Sequence, residues 1–248
     1  MSEQLIRTDE LLVTCTALTK RYGSKTALNG VNLQLKRGRI VGLLGPNGSG
    51  KTTLIKLLCG LIQPTEGDIA IGGMPVGPAT KALVSYLPDR MYFADWMKAS
   101  DLLDLFNDFY SDFDRNKATA MCQSLGVVPS QRLKTMSKGT KEKVQLVLVM
   151  ARKASLYLLD EPIAGVDPAA RDYILNTILT NYNEEGCVMI STHLISDIEQ
   201  VLDEAIFLKE GQVVLHDSVD AIREREGRSV DALFREVFRT TGMEGGAF

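Results

Sequence analysis

The stretch "GPNGSGKTT" at residues 45–53 constrains this chain more than any other, because of what flanks it. Before it runs the apolar "RIVGLL"; after it "TTLIKLLCGLI" has helical spacing up to Gly60. A buried strand, a glycine turn and a helix make the first half of a strand–helix–strand unit. Gly45, Gly50, Lys51 and Thr52 satisfy G-x-x-x-x-G-K-[ST] in the setting that a phosphate loop requires. Asn47 and Ser49 complete the turn. Its glycines let backbone N–H groups from about Gly48 to Thr53 converge on a β-phosphate. Lys51 would then bridge the β- and γ-phosphates, and Thr52 would offer its hydroxyl to Mg²⁺.

The rest of the chain is arranged around that unit. "LLVTCTAL" and "VNLQL" cluster β-formers around turn-like segments, so residues 11–36 read as a small β region. From Met91 to about Lys153 the spacing turns helical, and Val144, Val147, Leu148 and Ala151 share one stripe. Leu146, Val149 and Met150 cover the opposite side, which predicts a helix buried nearly all round. Strands return with "SLYLLDEP", "GCVMIST", "EAIFLKEG" and "QVVLHD", and Ser229 is placed to cap a last amphipathic helix before a frayed tail. The expected fold is α/β: a phosphate-loop core with an antiparallel β subdomain over residues 1–89 and 154–217, an inserted helical subdomain over 90–153, and C-terminal helices and tail over 218–248.

Composition narrows the function classes. With 28 basic and 31 acidic residues the chain has no broad positive footprint for nucleic acid. Cys15, Cys59, Cys122 and Cys187 are scattered without a C-x-x-C pair, which argues against zinc and fits buried thiols in a reducing compartment. The opening "MSEQLIRTDE" has no apolar leader core, and no stretch approaches the length of a membrane span. The chain is expected to be cytoplasmic, with any membrane role arriving through a partner.

Three further segments carry chemistry. "LYLLDEP" places Asp160 and Glu161 at the C-terminal end of a buried strand, where ligands of open α/β sheets gather. Asp160 would hold Mg²⁺ through its water shell, and Glu161 would polarise an attacking water. "VMISTHL" ends another apolar strand on His193, whose imidazole could reach a γ-phosphate or that water. "TMSKGTKEKV" looks like a second anion-ready helix start: Ser137 caps it, Gly139 leaves bare backbone, and Lys138, Lys141 and Lys143 surround the first turn.

The order of Gly45–Thr53, "TMSKGTKEKV", "LYLLDEPIAGVDP" and His193 resembles that of the nucleotide-binding subunits of ABC transporters, over nearly the whole chain. The resemblance implies Mg²⁺-dependent hydrolysis of ATP by two subunits arranged head to tail. Ser137 and Gly139 would then meet the γ-phosphate held by the phosphate loop of a second ATPase subunit, identical or related. It implies that Tyr22 stacks on adenine, that Asp167 lies at the subunit interface, and that a separate membrane permease anchors the chain to the inner face of the cell membrane. Asp89 stands where the family usually has a glutamine near Mg²⁺, and Arg90, turned inward, would offset its charge. Lys138 and Thr140 replace a glycine and a glutamine, a form seen beside export-type permeases. Aromatics in "MYFADW" fit either a permease-docking surface or the core of the insertion. The alternative is a soluble ABC ATPase on a scaffold such as iron–sulfur cluster assembly. A GTPase would need N-K-x-D, and "NKAT" lacks its aspartate.

Overall fold

The computed structural model describes residues 10–164 and 166–239. The tail at 240–248, most of the opening segment and Gly165 of "AGVDP" lie outside the described residues. In chain order the elements are β1 (Leu11–Tyr22), β2 (Lys25–Lys36), β3 (Arg39–Leu44), α1 (Lys51–Leu58), β4 (Glu66–Ile71), β5 (Met74–Pro75), α2 (Pro78–Leu83) and β6 (Val84–Leu87). Helices α3 (Ala99–Phe109), α4 (Arg115–Ser124) and α5 (Lys138–Met150) follow. Then come β7 (Leu156–Asp160), α6 (Pro168–Asn181), β8 (Cys187–Thr192), α7 (Ile195–Ile198), β9 (Glu204–Lys209), β10 (Gln212–Ser218), α8 (Val219–Glu226) and α9 (Val230–Arg239).

A four-stranded antiparallel sheet has the order β2-β1-β4-β5, and a six-stranded sheet has the order β10-β9-β3-β8-β7-β6. In the larger sheet β10 alone runs antiparallel to its neighbour. Strands β7 and β8 are buried along their whole length, because helices or the smaller sheet cover both faces. Alternation divides their side chains. Leu156, Leu158, Cys187 and Met189 join α1 and the antiparallel sheet in one core, while Tyr157, Leu159, Val188 and Ile190 join α3–α5 in the other. By the same period of two, Asp160 and Ser191 fall on the side of α1. Register completes the placement: Leu44 lies opposite Thr192, and Asp160 opposite Ser191. The residues that follow these three strands therefore emerge together at one edge.

Helix α5 is buried from Val144 through Met150, which fits its apolar stripes. The insertion is tied to the larger sheet by Arg152, which is 2% exposed. Its guanidinium donates to Asp112 at 3.0 and 3.1 Å and to the carbonyls of Val84 at 2.5 Å and Ala82 at 2.7 Å. It also stacks over the Tyr110 ring, 3.8 Å from its centroid. Helix α9 has two caps. Ser229 accepts from Ala232 N, and the buried Glu199 carboxylate accepts from Val230 N and Asp231 N.

Arg152→Ala should lower stability by about 3 kcal/mol, since it leaves a partly buried carboxylate and two carbonyls without their donor. Urea unfolding measures this, and an unchanged midpoint would show that the tie is dispensable.

Candidate functional site

At the edge where β3, β7 and β8 end, the chain forms a cleft of about 310 Å³ lined by Tyr22, Lys25, Asn47, Gly48, Gly50, Lys51, Thr52, Thr53, Asp89 and Glu161. Gly50 caps α1 with φ 112°, a backbone state that L side chains rarely adopt. A Cβ there would sit 2.6 Å from the Ala27 carbonyl oxygen and 2.9 Å from Leu28 Cδ2, so the loop passes closely under β2. Gly48 is also left-handed, at φ 83°, but faces open space.

Lys51 is buried beneath the loop, and its ammonium donates to the carbonyls of Gly45 at 2.7 Å and Pro46 at 3.3 Å. Burial lowers its pKa, opposed by the charges of Glu161 and Asp160. Asp160 is 1% exposed. Its Oδ1 accepts from Ser191 Oγ at 2.6 Å, whereas Oδ2 has no hydrogen-bond partner. Burial holds its pKa above the ordinary carboxylate value; the Ser191 and Thr52 hydroxyls pull it down, and the charges of Asp89 and Glu161 push it up. Thr52 acts without closing a hydrogen bond to Oδ2. Ser49 Oγ is likewise buried and unpartnered.

Glu161 leaves β7 at φ 52°, unusual for a residue with a side chain and costing on the order of 1–3 kcal/mol. Its backbone N–H donates to Ser191 O at 3.0 Å and Ser191 Oγ at 3.1 Å. The turn brings Glu161 Oε1 to 3.6 Å from Lys51 Nζ and Oε2 to 3.0 Å from His193 Nδ1. Lysine, carboxylate and imidazole thus form one line of contacts, of which Lys51 and Glu161 line the cleft. The arrangement can hold a polyphosphate at the loop and a proton acceptor beside its end.

An unpaired, buried carboxylate oxygen beside a threonine at the start of α1 fits a hard divalent cation with few protein ligands, such as Mg²⁺. Among the described residues no group of three or more His, Cys, Asp or Glu side chains converges on a common point. A cation here would draw its other ligands from phosphate and water.

The other expected residues lie apart from this line or turn differently. Ser137 caps α5, its Oγ accepting from Thr140 N at 3.2 Å, and a Cβ on Gly139 would meet nothing within 4 Å. Neither residue lines the cleft. The lysines of that first turn do not surround an anion position: Lys138 pairs with Glu142, Lys141 with Asp95, and Lys143 bonds the Leu125 carbonyl. Arg90 does not turn inward; it is 90% exposed, with Nε 3.7 Å from Asp89 Oδ2. Asp167 is exposed on the loop before α6. Sequence reasoning missed Ser191, which holds both Asp160 and Glu161. The signal was the serine two places before His193 at the end of an apolar strand.

Gly50→Ala and Gly48→Ala separate conformation from contact. Gly48→Ala should cost about 1–2 kcal/mol for the left-handed backbone alone. Gly50→Ala should cost more, lower the melting temperature further and abolish nucleotide binding, because its Cβ meets backbone. Equal melting temperatures for the two variants would contradict the close passage under β2.

Comparison with known proteins follows the same residues. The ABC transporter family model matches residues 28–164, from β2 through Glu161. An ABC transporter ATP-binding protein of Synechocystis is 31% identical over 202 residues, covering 78% of this chain but 57% of that protein, so the chain spans little more than half of that relative. The SkfA peptide export ATP-binding protein SkfE of Bacillus subtilis is 30% identical, covering 79% of this chain and 85% of that protein. A solved ATP-binding subunit of an ABC transporter superposes with a TM-score of 0.82 at 28% identity, covering 91% of this chain and 99% of that one. The phosphate loop, the carboxylate pair at the end of β7 and the agreement in both sequence and fold establish that this chain belongs to the ABC transporter ATP-binding family.

Proposed function

We propose that this chain is the Mg²⁺-dependent ATP-hydrolysing subunit of an exporter, working as a head-to-tail pair beneath a separate membrane permease. One observation carries the pairing: the cleft takes its lining from the loop, Tyr22, Asp89 and Glu161, while the open helix start at Ser137 and Gly139 contributes nothing to it. A second subunit placed head to tail would bring that helix start to the triphosphate.

In this reading Tyr22, 48% exposed at the end of β1, stacks on adenine. The backbone of Gly45, Asn47, Gly48, Ser49, Gly50 and Thr53 wraps the phosphates with Lys51. Thr52 and Asp160 hold the cation, with Asp89 beside them. Bound Mg²⁺ would supply neutralising charge at the β- and γ-phosphates. Glu161 takes the proton of the attacking water, and His193 orients Glu161 and the γ-phosphate. Asp167 lies where two chains would meet.

The division into an α/β core (residues 1–89 and 154–217), a helical subdomain (90–153) and C-terminal helices (218–248) gives the permease a place to bind. A groove of about 410 Å³ runs between core and insertion, lined by Leu61, Lys81, Tyr86, Arg90, Tyr92, Phe106 and Tyr110 among others. The aromatics of "MYFADW" divide: Phe93 packs on the core, while Tyr92 and Trp96 are 60% and 67% exposed. That leaves an apolar rim suited to a permease segment. Among the described residues no helix is long and apolar enough to cross a membrane, which fits a permease supplied by another chain. The name of the peptide-export relative and the Lys138 and Thr140 replacements in "TMSKGTKEKV" support export.

Glu161→Gln should keep ATP binding while hydrolysis falls by roughly 10²–10⁴, the usual worth of a positioned base. Hydrolysis at the parental rate would remove Glu161 from that role. The pairing is tested by mixing Ser137→Arg protein with Lys51→Ala protein: each mixed pair then keeps one site with an intact loop and an intact helix start. Partial recovery of hydrolysis is the expected result, and activity that never exceeds the sum of the two variants alone would overturn it.

A further inference from the structure

A guanidinium outside the nucleotide cleft joins the two segments that leave it. Arg171, on α6, donates through Nε to the Val166 carbonyl at 3.0 Å and through Nη1 to Asp197 Oδ2 at 2.7 Å. Val166 precedes Asp167 on the loop that starts at Glu161; Asp197 lies on α7, four residues beyond His193. The same two segments already touch nearer the cleft, where His193 Nδ1 lies 3.0 Å from Glu161 Oε2. They are therefore linked at both ends, Glu161 to His193 at one and Val166 to Asp197 through Arg171 at the other.

The first link pairs a histidine 44% exposed with Glu161 at 15%, and both partners of the second are partly shielded, Arg171 at 24% and Asp197 at 27%. Arginine suits it because its planar fork fixes the directions of its donors to the two acceptors; a lysine's compact ammonium on a flexible stem holds that geometry less firmly. Ile163, fully buried between Glu161 and Val166, and Ile195 and Ile198 on α7 pack into one core, so displacement of either segment is felt by the other.

We propose that Arg171 is a positioning residue for hydrolysis: it couples the loop bearing Asp167 to the segment bearing His193, so that engagement of Asp167 by a second subunit is transmitted to the existing His193–Glu161 contact. The proposal rests on the paired reading above. Its consequence is that hydrolysis, and not nucleotide affinity, depends on the Arg171–Asp197 contact.

The experiment compares Arg171→Ala, Arg171→Lys and Asp197→Asn with the parent. Hydrogen exchange is followed at residues 162–167 and 193–198 in nucleotide-free protein, alongside kcat and the affinity for a fluorescent ATP analogue. Asp197→Asn should speed exchange in 162–167 by about fivefold or more, and Arg171→Ala should do so in both segments, the scale expected of coupled neighbours. kcat should fall by a similar factor with analogue affinity within about twofold of the parent, and Arg171→Lys should recover only part of it. Exchange that rises only beside the altered residue, or kcat and affinity that fall together with the melting temperature, would overturn the coupling. Because the exchange readout needs neither ATP nor a second subunit, it decides the coupling even if the mixing experiment fails. A parent that hydrolyses ATP without pairing would count against the paired reading and leave the exchange result standing.

Discussion

The site depends first on the alignment of three parallel strand ends. Leu44, Asp160 and Thr192 stop at the same edge because β3, β8 and β7 pair in one parallel register. A slip by one residue would turn Asp160 away from α1 and bring an apolar side chain to face Thr52. Alignment also sets the electrostatics: Asp160 is almost wholly desolvated, which raises its pKa, and one hydrogen bond from Ser191 opposes that shift. A buried carboxylate with an unpaired oxygen opposes folding. Its retention, together with the left-handed Glu161, marks a place where stability is given up for binding.

Around that fixed edge the structure sets two long-range ties, both made by arginine. Arg152 closes the helical insertion onto β6 through a largely buried fork, and Arg171 closes the Glu161 loop onto the His193 segment. The first keeps the apolar groove and the Ser137 helix start in a set relation to the core. The second joins the loop bearing Asp167 to the segment bearing His193. In both, the planar guanidinium satisfies a carboxylate together with backbone carbonyl oxygen, two carbonyls for Arg152 and one for Arg171, in a geometry that a point charge on a flexible stem holds less firmly.

What could be read from the sequence was what local pattern decides. The phosphate loop, the carboxylates after "LYLL" and the Ser137 cap all follow from a few consecutive residues, and the structure has them at the expected element ends. The features that escaped depend on partners far along the chain. Ser191 reaches Asp160 only because β7 and β8 are neighbours, and Glu199 caps α9 only because α7 leads the chain back beneath it. The lysines beside Ser137 show the reverse failure. Their spacing suggested a cationic rim, but Asp95 and the Leu125 carbonyl, brought near by the fold of the insertion, draw two of them away. Arg90 went astray for a related reason: beside an exposed carboxylate, water serves its charge better than the cleft does.

One chain lines the cleft with its own phosphate loop and leaves Ser137 and Gly139 outside it, which is the geometry a paired site requires. The most direct test is the rate of ATP hydrolysis per chain measured across a wide range of protein concentration, with the association state followed in parallel by ultracentrifugation. A paired site predicts a per-chain rate that climbs with concentration and levels off as pairs saturate. A constant per-chain rate maintained down to concentrations where only monomer sediments would contradict it.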